Sequence, residues 1–502
     1  MLTFLLNPFL LPFVILLFIK WQFFPPKTTG NPPPSPLKLP IIGNFHQLGT
    51  LPHQSLRSLS IRYGPLMLIH LGNVPTVVAS SADAACEIMK THDIVFASRP
   101  ESKLAKKLLY DCKTVSAAPY GDHWRQLKSI MVLQLLSTKR VRFFRSVRAK
   151  ETALLLEIID DLDNKPVNLS DLFVTYTNNV TCEVVLGRKY GEGPNGKKFK
   201  QLLREFLVTL GSVNIGDFIP CLAWVDRVNG SDREVERIAR EIDEFVEGVV
   251  EERKKKHRDT AGNVVDYDNF VDIVLKIQQD ETDGILLDKT NIKALLLDAY
   301  TAGTDTTATV LEWVMAELLR HPNIMKKARD EVRGVSGSKT GLAEEDIEKM
   351  TYLKAVIKET LRLHPPLPLL VPNIASKDVR VMGYDIPKGT TVMTNVWAIG
   401  RDPKLWDEPQ EFRPERFLGS SIDFKGHDFE LIPFGAGRRI CPGIVFAMAT
   451  NENLIANLLY KYDWKLANGE IGEDLDMTEC PGVAVRKRLL DLEDNERLVE
   501  PR

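Results

Sequence analysis

Cysteine is scarce and scattered: Cys86, Cys112, Cys182, Cys221, Cys441 and Cys480 are all there are in 502 residues. No two form a CxxC pair, which excludes a zinc ribbon and a dithiol redox motif, and the spacing excludes a disulfide framework. The chain reads as a reduced, cytosol-facing protein whose cysteines are mostly small core residues. The net charge is only −2, so no global basic field argues for nucleic acid. There is no GxGxxG dinucleotide fingerprint, no internal repeat of about 20–50 residues and no linker beyond residue 44. What remains is one large unit with ample core.

The first stretch, MLTFLLNPFLLPFVILLFI, has no charge at all. Roughly 17–25 apolar residues suffice to cross a bilayer. A cleaved signal peptide would need a basic residue before the run and small residues after it, and neither is present. Early positive charge lies behind the segment, at Lys20, Lys27, Lys38, Arg57 and Arg62, and the first acidic residue is Asp83. Residues 1–24 are thus expected to be a single-pass anchor with the body in the cytosol. The sequons at Asn168, Asn179 and Asn229 would then go unused. Residues 25–44 include PPPSPLKLPIIGN, a stiff proline-rich connector. Residues 45–502 are the expected single folded domain.

That body is mainly helical by pattern, as in ALLLEIIDDL, VERIAREIDEFVEGVVEERKKK and AVIKETLRL, with a minor β part in LMLIHL and PTVVAS. ERKKKHRDTAGN, Glu252–Asn263, reads as a solvated loop.

One cysteine stands apart. In FGAGRRICPG, Phe434–Gly443, a lone thiol sits among glycines, a proline and two arginines. Pro442 can open a helix just after Cys441, aiming backbone N–H groups at the sulfur. Zinc would want further Cys or His ligands at set spacings. A buried structural cysteine and a single axial thiolate bond to haem iron both fit the composition.

Three more segments lie in order upstream: AGTDTT (Ala302–Thr307), ETLR (Glu359–Arg362) and PERF (Pro414–Phe417). Together with FGAGRRICPG, the anchor and the connector, they resemble the cytochrome P450 family over nearly the whole chain. YGPLM, THDIVFASRP, HPPLPLLVP and NVWAIGRDP are most similar to plant endoplasmic-reticulum members that oxidise specialised metabolites.

The resemblance implies a mainly α P450 fold and a haem b cofactor. Cys441 would be the axial iron ligand, set in a loop carrying Phe434 and Gly437, with Arg439 reaching a haem propionate. Trp124 and Lys128 would be further propionate donors. Asp305 and Thr306 would relay protons to bound oxygen; the alternative is a threonine bonded back to its own helix and an aspartate at a polar rim. A local opening of the helix at Gly303 is expected there. Glu359, Arg362 and Arg416 would form a buried structural charge cluster. Asn373 departs from the pattern, since the family commonly has arginine in that slot.

Electrons would come from NADPH through a separate reductase in the same membrane. The basic run Arg125, Lys128, Lys139, Arg140, Arg142, Arg145, Arg148 and Lys150 is expected to form part of its docking face. The implied function is oxidation of an apolar terpenoid, alkaloid or phenolic at the endoplasmic reticulum. The pocket is expected from Ser98–Asp122, Leu202–Val213, Ala299–Thr307, Leu367–Val371 and Pro481–Val485. A reductase-independent hydroperoxide rearranging enzyme and a non-enzymatic membrane haem carrier are the competing readings.

Overall fold

The computed structural model describes residues 30–162, 167–190, 193–259, 269–280, 287–336, 342–466, 472–480, 482, 484–487 and 499–501. The expected anchor, residues 1–24, lies outside the described residues.

Seven helices position the site: α1 (Asp122–Met131), α2 (Arg145–Asp161), α3 (Leu169–Thr181), α4 (Ser231–Asp259), α5 (Lys289–Arg320), α6 (Thr351–Leu363) and α7 (Ile444–Lys461). The central one is α5. Its 32 residues span about 48 Å at 1.5 Å per residue, and the Asp288 carboxylate caps its start by accepting the Asn291 N–H at 2.6 Å. Below Thr306 it is apolar almost all round, with Leu311, Trp313 and Val314 fully buried. Such a helix belongs in the middle of a core, and α3, α6 and α7 pack around it.

The β part is a small four-stranded sheet in the order β1 (Leu66–Leu71), β2 (Val74–Ala79), β4 (Thr391–Thr394), β3 (Asn373–Ile374). The β1–β2 hairpin is antiparallel, Leu66 opposite Ala79, and β2 runs parallel to β4 with Thr76 opposite Thr391. Both strands of the hairpin fall on the runs expected from sequence. A second, two-stranded piece pairs β5 (Glu479–Cys480) with β6 (Arg486–Lys487).

From Asn31 to Asn44 the connector lies against the body. Asn31 donates to the Asp385 carboxylate at 2.7 Å, the Pro34 carbonyl accepts the Leu68 N–H at 2.9 Å, and Asn44 bonds His70 and Leu37.

Two expectations change. Residues 252–259 are the end of α4, not a loop. Lys, Arg and Glu are good helix formers, and Lys256, His257 and Arg258 in the last turn complement the helix dipole; residues 260–263 lie outside the described set. The basic run is also largely neutralised within the chain. Arg142 pairs with Glu348, Arg145 with Glu345 and Lys150 with Glu183. Arg148 is fully buried in a fork with Glu344 at 2.7 and 2.8 Å, and Arg125 pairs with Asp122. Only Lys139 and Arg140 of that run, among the described residues, keep a charge on the surface without an ion pair. Charge summed along the sequence ignored the acidic segment Glu344–Glu348 folded against it.

Among the described residues no single helix is long and apolar enough to cross a membrane. The helical stretches Phe199–Phe218 and Pro220–Val228 are apolar enough together but meet at 105°.

Candidate functional site

The loop that carries Cys441 is closed by the Cys441 N–H donating to the Phe434 carbonyl at 2.9 Å. Gly437 sits at φ +64, where a Cβ would come within 2.1 Å of the Met89 carbonyl, so only glycine fits. After Pro442 the chain enters α7, and the Gly443 N–H points at the sulfur from 3.4 Å. Burial pushes the Cys441 thiol up, opposed by that N–H and by Lys128. The protein alone therefore favours the neutral thiol, and a bound metal cation is what would hold it as thiolate.

Cys441 lines an internal cavity of about 290 Å³ between α5, α7 and the loops around residues 99, 115 and 370. Its walls are mostly apolar: Phe434, Phe446, Ala299, Leu370, Val184 and Val185. The last two come from a π-helical turn, Cys182–Leu186, that continues α3. Into one side of this apolar space project three cations. Arg439 donates to the carbonyls of Ala97, Val115 and Ala118. Lys128 donates to the Arg438 carbonyl. Arg99 donates to Ser116 at 3.2 Å, Val371 at 2.6 Å and Pro372 at 3.0 Å, again all carbonyls. No carboxylate hydrogen-bonds any of them among the described residues. Burial pulls Arg99 down to about 9, with Arg439 adding repulsion, and pulls Arg439 down to about 10. Lys128 is lowered by burial and by Arg439. Buried cations gathered this way call for anionic partners. One sulfur, apolar walls and three cations on one side fit a flat metal macrocycle bearing carboxylates.

The predicted residues come together only in part. Cys441, Arg439, Lys128, Trp124, Phe434 and Thr306 all line the cavity. The Trp124 indole N–H is spent on the Val115 carbonyl at 3.0 Å, and its ring lies beneath Lys128 and Arg439 at 5.0 and 4.3 Å. Asp305 is beside Thr306 on α5 but is not in the cavity wall. Helix α5 runs unbroken through Gly303, so the expected opening is absent. Gly303 answers instead to α3: a Cβ would lie 3.3 Å from the Thr181 methyl carbon. Thr306 donates back to the Ala302 carbonyl at 2.7 Å.

The charge cluster stands apart from the cavity, with Glu359 and Arg362 fully buried and the Arg416 side chain nearly so. Glu359 accepts two bonds from Arg362, both 2.7 Å, one from Arg416 at 2.9 Å and the Arg413 N–H at 2.8 Å. The remaining donors of Arg362 meet the carbonyls of Gly400, Pro409 and Glu411, tying α6 to the loop before PERF.

Of the expected pocket segments, Leu202–Val213 contributes nothing to this cavity. Its helix spends its apolar face elsewhere: Phe206 is fully buried, and the preceding Phe199 packs on Phe245 of α4 at 4.2 Å and Tyr300 of α5 at 5.5 Å. Nor do the described residues of Pro481–Val485 reach the wall; Pro481 and Val483 lie outside the described set. Sequence reasoning missed Arg99 as a site residue, although the charge in FASRP after an apolar run was visible. It also missed Asp298, a lone acid in the apolar run LLLDAY. Asp298 is raised to about 6 by burial, and accepts the Ser116 N–H and hydroxyl at 2.7 and 2.6 Å.

The family model described as Cytochrome P450 matches residues 32–493. The chain belongs to the cytochrome P450 family. It is 50% identical to norfluorocurarine oxidase of Strychnos sp, over 97% of each chain. It is also 50% identical to (+)-menthofuran synthase of Mentha piperita, over 91% of this chain and 92% of that one. Among solved structures, a zebra fish cytochrome P450 with progesterone superposes with a TM-score of 0.76 at 25% identity, covering 90% of this chain and 99% of that one. By family and fold the protein is a cytochrome P450 monooxygenase with a haem cofactor. Haem is the group that the thiol, the apolar walls and the three cations fit.

Proposed function

We propose that this P450 is a membrane-held monooxygenase that takes electrons from NADPH through a separate reductase and oxidises an apolar plant specialised metabolite. The observation that carries the reading is Cys441 facing an apolar cavity with Arg99, Lys128 and Arg439 on one side. Cys441 would ligate the iron, and the three cations would hold the carboxylates of the macrocycle. When bound, haem supplies dioxygen activation, helped by electron donation from the thiolate. The chain supplies the rest. Apolar walls exclude water and favour an apolar substrate. The Thr306 hydroxyl has its proton on the Ala302 carbonyl, which leaves its oxygen lone pairs to accept a hydrogen bond from the cavity side. Asp305, next along α5, would resupply protons from the outer side.

The names of the relatives support an alkaloid or a terpenoid as substrate, with phenolics also in range. Membrane attachment is supported by apolar side chains exposed on the connector and near the bent helical pair: Leu37, Ile41, Val213, Trp224 and Val228. Phe218 joins the two regions, edge-on to Phe45 at 5.4 Å, with its carbonyl accepting the Asn73 N–H. This supports a membrane location; the endoplasmic reticulum and a cytosolic body are proposed from the plant relatives and from the positive charge that follows residues 1–24. The test is a reduced carbon monoxide difference spectrum, followed by a product screen in microsomes with and without co-expressed reductase. Turnover without reductase would favour hydroperoxide rearrangement, and a spectrum with no product from any apolar class would favour a haem carrier.

A further inference from the structure

We infer that Trp313, Glu317 and His364, none of which lines the cavity, are positioning residues that fix the stretch of its wall at Pro366–Val371. The inference rests on the haem-thiolate reading of that cavity.

The chain leaves α6 at Leu363, and the His364 N–H caps the helix on the Thr360 carbonyl at 2.7 Å. Pro365 and Pro366 follow. Each has a fixed φ and no N–H, so the direction of the next residues depends on where His364 is held. It is held twice by α5. Its ring stacks on Trp313, centroids 3.9 Å apart and planes 6° from parallel. Its Nε2 lies 2.6 Å from Glu317 Oε1. Trp313 and Glu317 are four residues apart, hence on one face of α5. Trp313 lies seven residues beyond Thr306, about 10 Å along the axis.

A second path closes a ring. The Trp313 indole N–H donates to the Val485 carbonyl at 3.1 Å, and the Val485 N–H donates to the Pro366 carbonyl at 2.8 Å. The segment before β6 thus backs the wall without lining it. Trp313, Val485, Pro366 and His364 form a closed loop of contacts, and Leu367, Leu370 and Val371 of the cavity wall extend directly from it. Trp313 is fully buried and Glu317 nearly so, so losing either bond leaves a buried polar group unpaired. A change in the loop is passed to the wall.

The experiment uses the full haem-loaded protein and two probes, imidazole and 4-phenylimidazole. Both ligate iron through nitrogen, read as a Soret shift, but only the second presses a ring against the wall. In Trp313→Phe, which keeps an aromatic face and loses the N–H, the ratio of the two dissociation constants is expected to change by about three-fold or more, the scale of one neutral hydrogen bond. Glu317→Gln, nearly isosteric, is expected to move it the same way and covers the case in which Trp313→Phe does not fold. Thr152→Val removes a buried bond to Asn453 between α2 and α7, at 2.8 Å, and should leave the ratio unchanged. A wild-type ratio in both wall variants, or an equal shift in Thr152→Val, overturns the inference. Absence of any Soret band in the wild-type protein supplied with haem would instead overturn the haem reading.

Discussion

Arg99 offers the sharpest test of the cation clamp. The sequence suggested a charge deficit at Asn373, where the family commonly has arginine. Asn373 is buried, and its amide donates to the Phe96 carbonyl at 2.6 Å; it is not a solvent-facing replacement. The guanidinium that reaches this strand belongs to Arg99, bonded to the Val371 and Pro372 carbonyls just before it. Consider Arg99→Gln. A charge-assisted hydrogen bond is worth about 1.5–3 kcal/mol and a neutral one about 0.5–1.5 kcal/mol. The difference, about 1–1.5 kcal/mol, corresponds to about 5- to 12-fold faster haem loss if the charge meets a propionate. Transfer of haem to an excess of apomyoglobin, followed in the Soret band, measures the rate directly. Asn373→Arg, by contrast, would break the Phe96 bond and add a further cation beside Arg99 and Arg439, so slower haem loss is not expected from it. A loss rate for Arg99→Gln within two-fold of wild type would refute the assignment of Arg99 to the clamp.

Cys441→His should abolish monooxygenase turnover while leaving haem bound, visible as a carbon monoxide band displaced from that of wild type. Thr306→Ala should keep that band and divert NADPH consumption to peroxide; full coupling would remove its role in proton delivery. Glu359→Ala leaves two buried guanidiniums without their carboxylate and should cost about 3–5 kcal/mol, read as a lowered chemical-denaturation midpoint. Asp298 gives a pH signature: burial raises its carboxyl to about 6, above the ordinary aspartate range, so the folded state binds this proton more tightly than the unfolded state. Its contribution to stability is greatest at low pH and falls as pH rises towards 6. The melting temperature of Asp298→Asn relative to wild type should therefore rise between pH 4 and pH 6.5, and a flat difference would contradict the burial of the charge.

Much of the fold was legible because its pattern is local. The apolar runs of α5 and α7 and the alternation in β1 and β2 each declare one element without reference to any other. The loop around Cys441 was legible for a related reason: glycine at positive φ, proline at a helix start and a single thiol constrain one another within ten residues. What the sequence hid was set by distant partners. The spacing of Glu359 and Arg362 is ordinary on any solvated helix; the family resemblance, not the spacing, named Arg416 as their partner, and the Gly400, Pro409 and Glu411 carbonyls that complete the cluster carry no sequence signal. Gly303 looked like a break in a helix because its neighbour across the interface, Thr181, is more than a hundred positions away. The basic run up to residue 150 invited a docking surface for the same reason, since Glu344, Glu345 and Glu348 pair with Arg148, Arg145 and Arg142 from 196 to 206 residues on. With that run compensated, long-range steering of a reductase would rest on few residues there, of which Lys139 and Arg140 remain. Their loss should lower the association rate at low salt far more than the maximal turnover at saturating reductase. If Lys139→Glu with Arg140→Glu left the salt dependence of electron transfer unchanged, docking would have to be sought away from this run altogether.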